Sequence, residues 1–71
     1  MFLSDKLIKI GSNANPKNNR SMAIQVTYMI YILNEHKNNG DSVEYLVGIT
    51  KHVIKVLNEQ GFKFYKLEMF F

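Results

Sequence analysis

The sequence predicts a small α+β domain, mainly helical, with two to three helices and a C-terminal strand. Three observations carry that expectation: an apolar stripe at helical spacing over residues 22–33, a capped stretch over 41–60 that ends at a glycine, and an aromatic tail from Phe62 with partial alternation. A ββαβ arrangement is the alternative, because Ile24, Val26, Tyr28, Ile30 and Ile32 alternate as a half-buried strand does.

Taken in order, Lys6-Leu-Ile-Lys-Ile10 reads as a short strand or a single helical turn, ended by Gly11. Residues 11–20, rich in Asn and holding Pro16, read as a flexible loop or arm within a single domain spanning 1–71. Ser21 is a good N-cap for a segment running to about Lys37, and Asn38-Asn39-Gly40 supplies its stop. The helical case there rests on Met22, Val26, Met29, Ile30 and Leu33, spaced by threes and fours. A helix apolar on so many sides would be central to the core, with Tyr28, Tyr31 and Tyr45 packed inside and their hydroxyls at the rim.

Asp41 or Ser42 caps the next stretch, and Glu44, three residues after Asp41, completes a capping-box pattern. Val43, Leu46, Val47, Val53, Ile54 and Leu57 hold helical spacing up to the stop at Gly61. Gly48 costs about 1 kcal/mol inside a helix. Either a backbone approaches it closely, or it is a tight turn splitting the stretch into helices at 42–47 and 50–60. The tail, Phe62 to Phe71, reads as a strand paired with residues 6–10 or with a second subunit's tail.

Seventy-one residues lie near the lower limit for a self-sufficient core, so a homodimer through the C-terminal strand is a natural expectation. The chain is 46% hydrophobic and 21% charged, the balance of a folded protein rather than a disordered one. It has no cysteine, which excludes disulfides, thiolate catalysis and zinc–sulfur sites and makes a cytoplasmic location the default. The longest apolar run, Tyr28 to Leu33, is far short of the roughly 20 residues of a membrane span, and Met-Phe-Leu-Ser-Asp-Lys does not read as a secretory leader. His36 and His52 lack metal-ligand spacing, and there is no Gly-rich phosphate loop or nucleophile elbow. Neither a cofactor nor an enzymatic activity is expected.

The formal charge of +3 is carried entirely by residues 1–21, where Lys6, Lys9, Lys17 and Arg20 face Asp5 alone. A cationic segment on a neutral body suits a phosphate backbone, although the field is modest.

With a split at Gly48, the stretch DSVEYLVGITKHVIKVLNEQGFKF, residues 41–64, resembles the helix-turn-helix and first wing strand of winged-helix DNA-binding proteins. Leu57-Asn58-Glu59-Gln60-Gly61-Phe62 matches that family's recognition-helix ending of Leu, three polar residues, Gly and an apolar residue. With the preceding helix the likeness covers residues 21–64. It implies a reader of double-stranded DNA, such as a transcriptional regulator or a phage or mobile-element accessory protein. On such a helix Lys51, Lys55 and Asn58 share an outer face able to reach base edges or phosphates, with Thr50 and His52 near its start. Lys17 and Arg20 would form an arm along the backbone, and Lys63, with Lys66, would add contacts from the tail. The same residues also read as solvated surface. The alternative is a protein-interaction module without nucleic-acid binding, an inhibitor or adaptor gripping a protein partner with its tail and Tyr-rich helix.

Overall fold

The computed structural model describes residues 2–64 and Leu67, and its regular structure is three helices: α1 (Leu3–Ser12), α2 (Asn19–Asn38) and α3 (Val43–Glu59). Among the described residues there is no strand. The α+β expectation and its ββαβ alternative are both overturned in favour of a small all-helical globule. Residues 6–10 lie inside α1 and residues 24–33 inside α2. Phe62, Lys63, Phe64 and Leu67 belong to no strand, and the rest of the expected tail strand, at 65–66 and 68–71, lies outside the described residues.

Local chemistry sets most of the helix boundaries. The Asn18 side chain accepts hydrogen bonds from the Arg20 and Ser21 amides at 3.0 and 3.2 Å, so α2 begins before Ser21 rather than at it. Ser21 instead steadies the preceding loop, its hydroxyl accepting from the Asn15 amide at 3.0 Å. Ser42 caps α3 by accepting from the Tyr45 amide at 3.1 Å. Asp41 has a different task from the expected capping box. Its carboxylate lies 2.7 Å from Nδ1 of His36, while its amide donates to the His36 carbonyl at 3.0 Å, closing the α2–α3 turn.

Gly40 and Gly61 end the two long helices with φ of 101° and 93°. That left-handed conformation suits glycine and lets each turn satisfy two orphan carbonyls: Gly40 and Asp41 donate to Lys37 and His36, and Gly61 and Phe62 donate to Asn58 and Leu57. Gly48 ends nothing, because α3 runs through it without a break.

Helices α1 and α3 lie side by side and run the same way. At one end Gly11 meets Leu57 and the Ser12 hydroxyl donates to the Gln60 carboxamide at 2.7 Å; toward the other, Ser4 shares a surface hollow with Gly48 and Ile49. The loops at 13–18 and 39–42 reverse the chain, so α2 runs back along this pair, touching α1 more than α3. Leu7, Met29, Leu33, Leu46, Val53 and Leu57 are fully buried, joined by Leu3, Ala14, Ile32, Phe64 and Leu67. Phe64 and Leu67 therefore help close the core of their own chain. The Phe64 amide donates to the Asn58 carboxamide oxygen at 3.1 Å, a side chain taking the place a strand neighbour would have filled.

Candidate interaction surface

The residues expected to meet DNA divide into three groups. Thr50 is buried, at 2% exposure, and its hydroxyl donates to the Leu46 carbonyl at 2.8 Å, so in this fold it faces no ligand. Because α3 does not bend at Gly48, Thr50 lies mid-helix on the core side with Leu46, Val53 and Leu57. Its neighbours Lys51, Lys55 and Asn58 are exposed on the opposite side, but at about 100° per residue Glu44 and Glu59 fall on that side too. Two lysines and two glutamates leave that face without net charge, and the Asn58 oxygen is committed to the tail.

His52, also exposed, lies on a flank of α3 beside the start of α1. With Ser4, Glu44, Tyr45, Gly48 and Ile49 it lines a shallow hollow of about 420 Å³. Among the described residues nothing lies within 4 Å of where a Gly48 Cβ would stand, so no described backbone approaches it.

Lys17, Arg20 and Lys63 are exposed at the end of the bundle where α1 and α3 finish and α2 begins. The topology brings Lys9 and Lys55 to the same end, where Glu59 is the one acidic residue among those described. Of the sequence-predicted cations, Lys17, Arg20, Lys55 and Lys63 thus share this pole, while Lys51 stands apart on the outer face of α3. Lys66 lies outside the described residues.

Exposed large apolar residues line the outer side of α2, the Tyr-rich helix of the protein-interaction alternative. Ile24, Tyr28 and Tyr31 are 46%, 58% and 61% exposed, which corrects the expectation that the tyrosines pack inside; Tyr45, on α3, is 50% exposed. At about 100° per residue, Ile24, Thr27, Tyr28 and Tyr31 lie within one arc of about 100°, opposite the inward stripe of Met22, Val26, Met29 and Leu33. Ile24, Thr27 and Tyr28 bound an open hollow of about 360 Å³. Arg20 precedes this stripe and Glu35 follows it on the same side, both exposed. The Tyr31 phenol hydrogen-bonds to Glu35, and that bond and the adjacent negative charge hold its ionisation above the ordinary value. The signal was present in the sequence: apolar residues at 24, 28 and 31 repeat at i, i+4 and i+7, a second helical stripe beside the first.

No protein-family model, curated protein or solved structure matches the chain. Among the described residues no helix is long and apolar enough to cross a membrane, and no group of three or more His, Cys, Asp or Glu side chains is placed to hold a metal ion.

Proposed function

We infer that the chain is a small protein-interaction module that binds its partner through the outer face of α2. The observation that supports this is the exposed stripe of Ile24, Tyr28 and Tyr31, held in helical register on the side of α2 turned away from the core. Scattered exposed apolar residues are ordinary on a protein surface, but three large ones aligned along one helix form the kind of anchor a partner covers. Removing such side chains from water yields about 25 cal/mol per Å² of apolar surface covered. Phe64 and Leu67 of the tail drop out of the gripping surface, since both are buried within the chain itself.

Nucleic-acid binding is the second reading, favoured by one observation: Lys9, Lys17, Arg20, Lys55 and Lys63 share an end of the bundle. In this reading the cationic pole, rather than the outer face of α3, meets the phosphates.

One experiment addresses both readings. A photoactivatable diazirine side chain is placed singly at Tyr28, Lys17 or Lys51 and irradiated in cells expressing the chain. A protein adduct from position 28, absent from position 51, is expected for the interaction module; a nuclease-sensitive adduct from position 17 is expected for the second reading. The absence of a protein adduct at position 28, or equal adducts at 28 and 51, would overturn the first reading, and the absence of a nuclease-sensitive adduct would overturn the second.

A further inference from the structure

We propose that the partner of the α2 outer face is a second copy of the same chain, paired antiparallel about a two-fold axis that passes between Thr27 and Tyr28. This assignment rests on the reading of that face as a binding surface and adds the identity of the occupant.

The stripe is self-complementary when reversed. With the axis between Thr27 and Tyr28, Ile24 of one copy meets Tyr31 of the other, and Thr27 meets Tyr28. The same register sets Arg20 against Glu35 at both ends of the contact. Arg20 and Glu35 stand about 22 Å apart along their own helix, at 1.5 Å rise per residue, so each is beyond the reach of the other within one chain. Across the two-fold axis each finds an opposite charge. A parallel pairing would instead set Arg20 against Arg20 and Glu35 against Glu35, which like-charge repulsion disfavours. An isologous contact needs one patch that matches itself, which the order cation, aliphatic, aromatic, anion provides.

Size fits as well. A chain this small has a limited core, and association is a common supplement to one. Six side chains per copy fall well below the 20–30 residues a side of a standard interface, so the dimer belongs to the weak, concentration-dependent class. Tyr31 keeps its hydrogen bond to Glu35 in the pair, since a carboxylate has acceptor sites for both the phenol and a guanidinium.

Sedimentation equilibrium of the full chain over a wide concentration range tests the pairing. The mass is expected to rise from 8.3 kDa toward twice that value. Arg20→Glu and Glu35→Arg, each alone, turn two attractions into two repulsions and are expected to weaken the dimer about tenfold, from the usual worth of surface ion pairs. The double swap, or an equimolar mixture of the two single variants, is expected to restore it. Each substitution also leaves an acid near the start of α2 or a base near its end, the placement the helix dipole favours, and circular dichroism checks that the fold is kept. Single variants that dimerise as well as the parent would overturn the antiparallel register. A parent that stays at 8.3 kDa throughout would overturn the self-pairing. The crosslink at position 28 separates that failure from failure of the interaction module: an adduct of twice the chain's mass is a second copy, an adduct of another mass is a foreign partner, and no adduct ends both.

Discussion

The seam between α1 and α3 and the outer face of α2 are built from similar residues and finished in opposite ways. At the seam, a methyl group added to Gly11 would stand 2.5 Å from a Leu57 methyl that is itself fully buried. On the outer face of α2, Ile24, Tyr28 and Tyr31 stand with roughly half of their surface in water. The first region is closed by the chain alone. The second stays open to water, so α2 carries apolar residues on two sides of which only one is covered by the rest of the fold.

The largest expected effect lies at the seam. Leu57→Ala should lower stability by about 2–5 kcal/mol, the range for emptying a buried leucine site, and Gly11→Ala by about 1–3 kcal/mol through overcrowding. Combined, they should cost clearly less than their sum, because the new methyl enters space the leucine has vacated. Urea denaturation of the three variants measures this, and strict additivity would show that the two residues do not touch.

Gly48, which faces outward, should respond with the opposite sign. Space around it is open, so Gly48→Ala should raise stability by up to about 1 kcal/mol through helix propensity. For a chain of this size that is a rise of about 4–8 °C in Tm per kcal/mol. A loss of stability in thermal unfolding would mean that a backbone approaches Gly48 after all.

The smallest effect concerns Tyr31. Its ionisation is held above the ordinary phenol value near 10 by Glu35, so any stabilisation it contributes is complete below that pH and fades as pH climbs through the higher folded value. The readout is spectroscopic: in an ultraviolet titration Tyr31→Phe should remove a late-titrating phenol, and Glu35→Gln should return that phenol to the ordinary range. A titration unchanged by Glu35→Gln would break the assignment.

What the sequence disclosed follows from how local each signal is. The stops at Gly40 and Gly61 were legible because a positive-φ glycine after an apolar stripe needs no distant partner. The alternation at 24, 26, 28, 30 and 32 was not decisive. In a strand it makes one apolar face, but in a helix steps of two residues fall about 200° apart and cover two opposite sides. Which side meets the core depends on where α1 and α3 lie, a long-range fact. Thr50 suggested a ligand contact only while a bend at Gly48 was assumed; in an unbroken helix it turns inward and bonds its own backbone. The tail suggested a strand because Lys63 separates Phe62 from Phe64, yet the Asn58 side chain captures the Phe64 amide, a contact that pattern alone does not reveal.

The tight fit at Gly11 also selects one alignment. Leucine-lined helices can often slide past one another by a turn at small cost, since one greasy side chain replaces another. Here the notch exists at a single place along α1, and a slip of one turn that brought Leu7 to it would drive a full side chain onto Leu57 in its stead. A missing side chain thus works as a keyway, admitting one register of the two parallel helices and rejecting the slipped one.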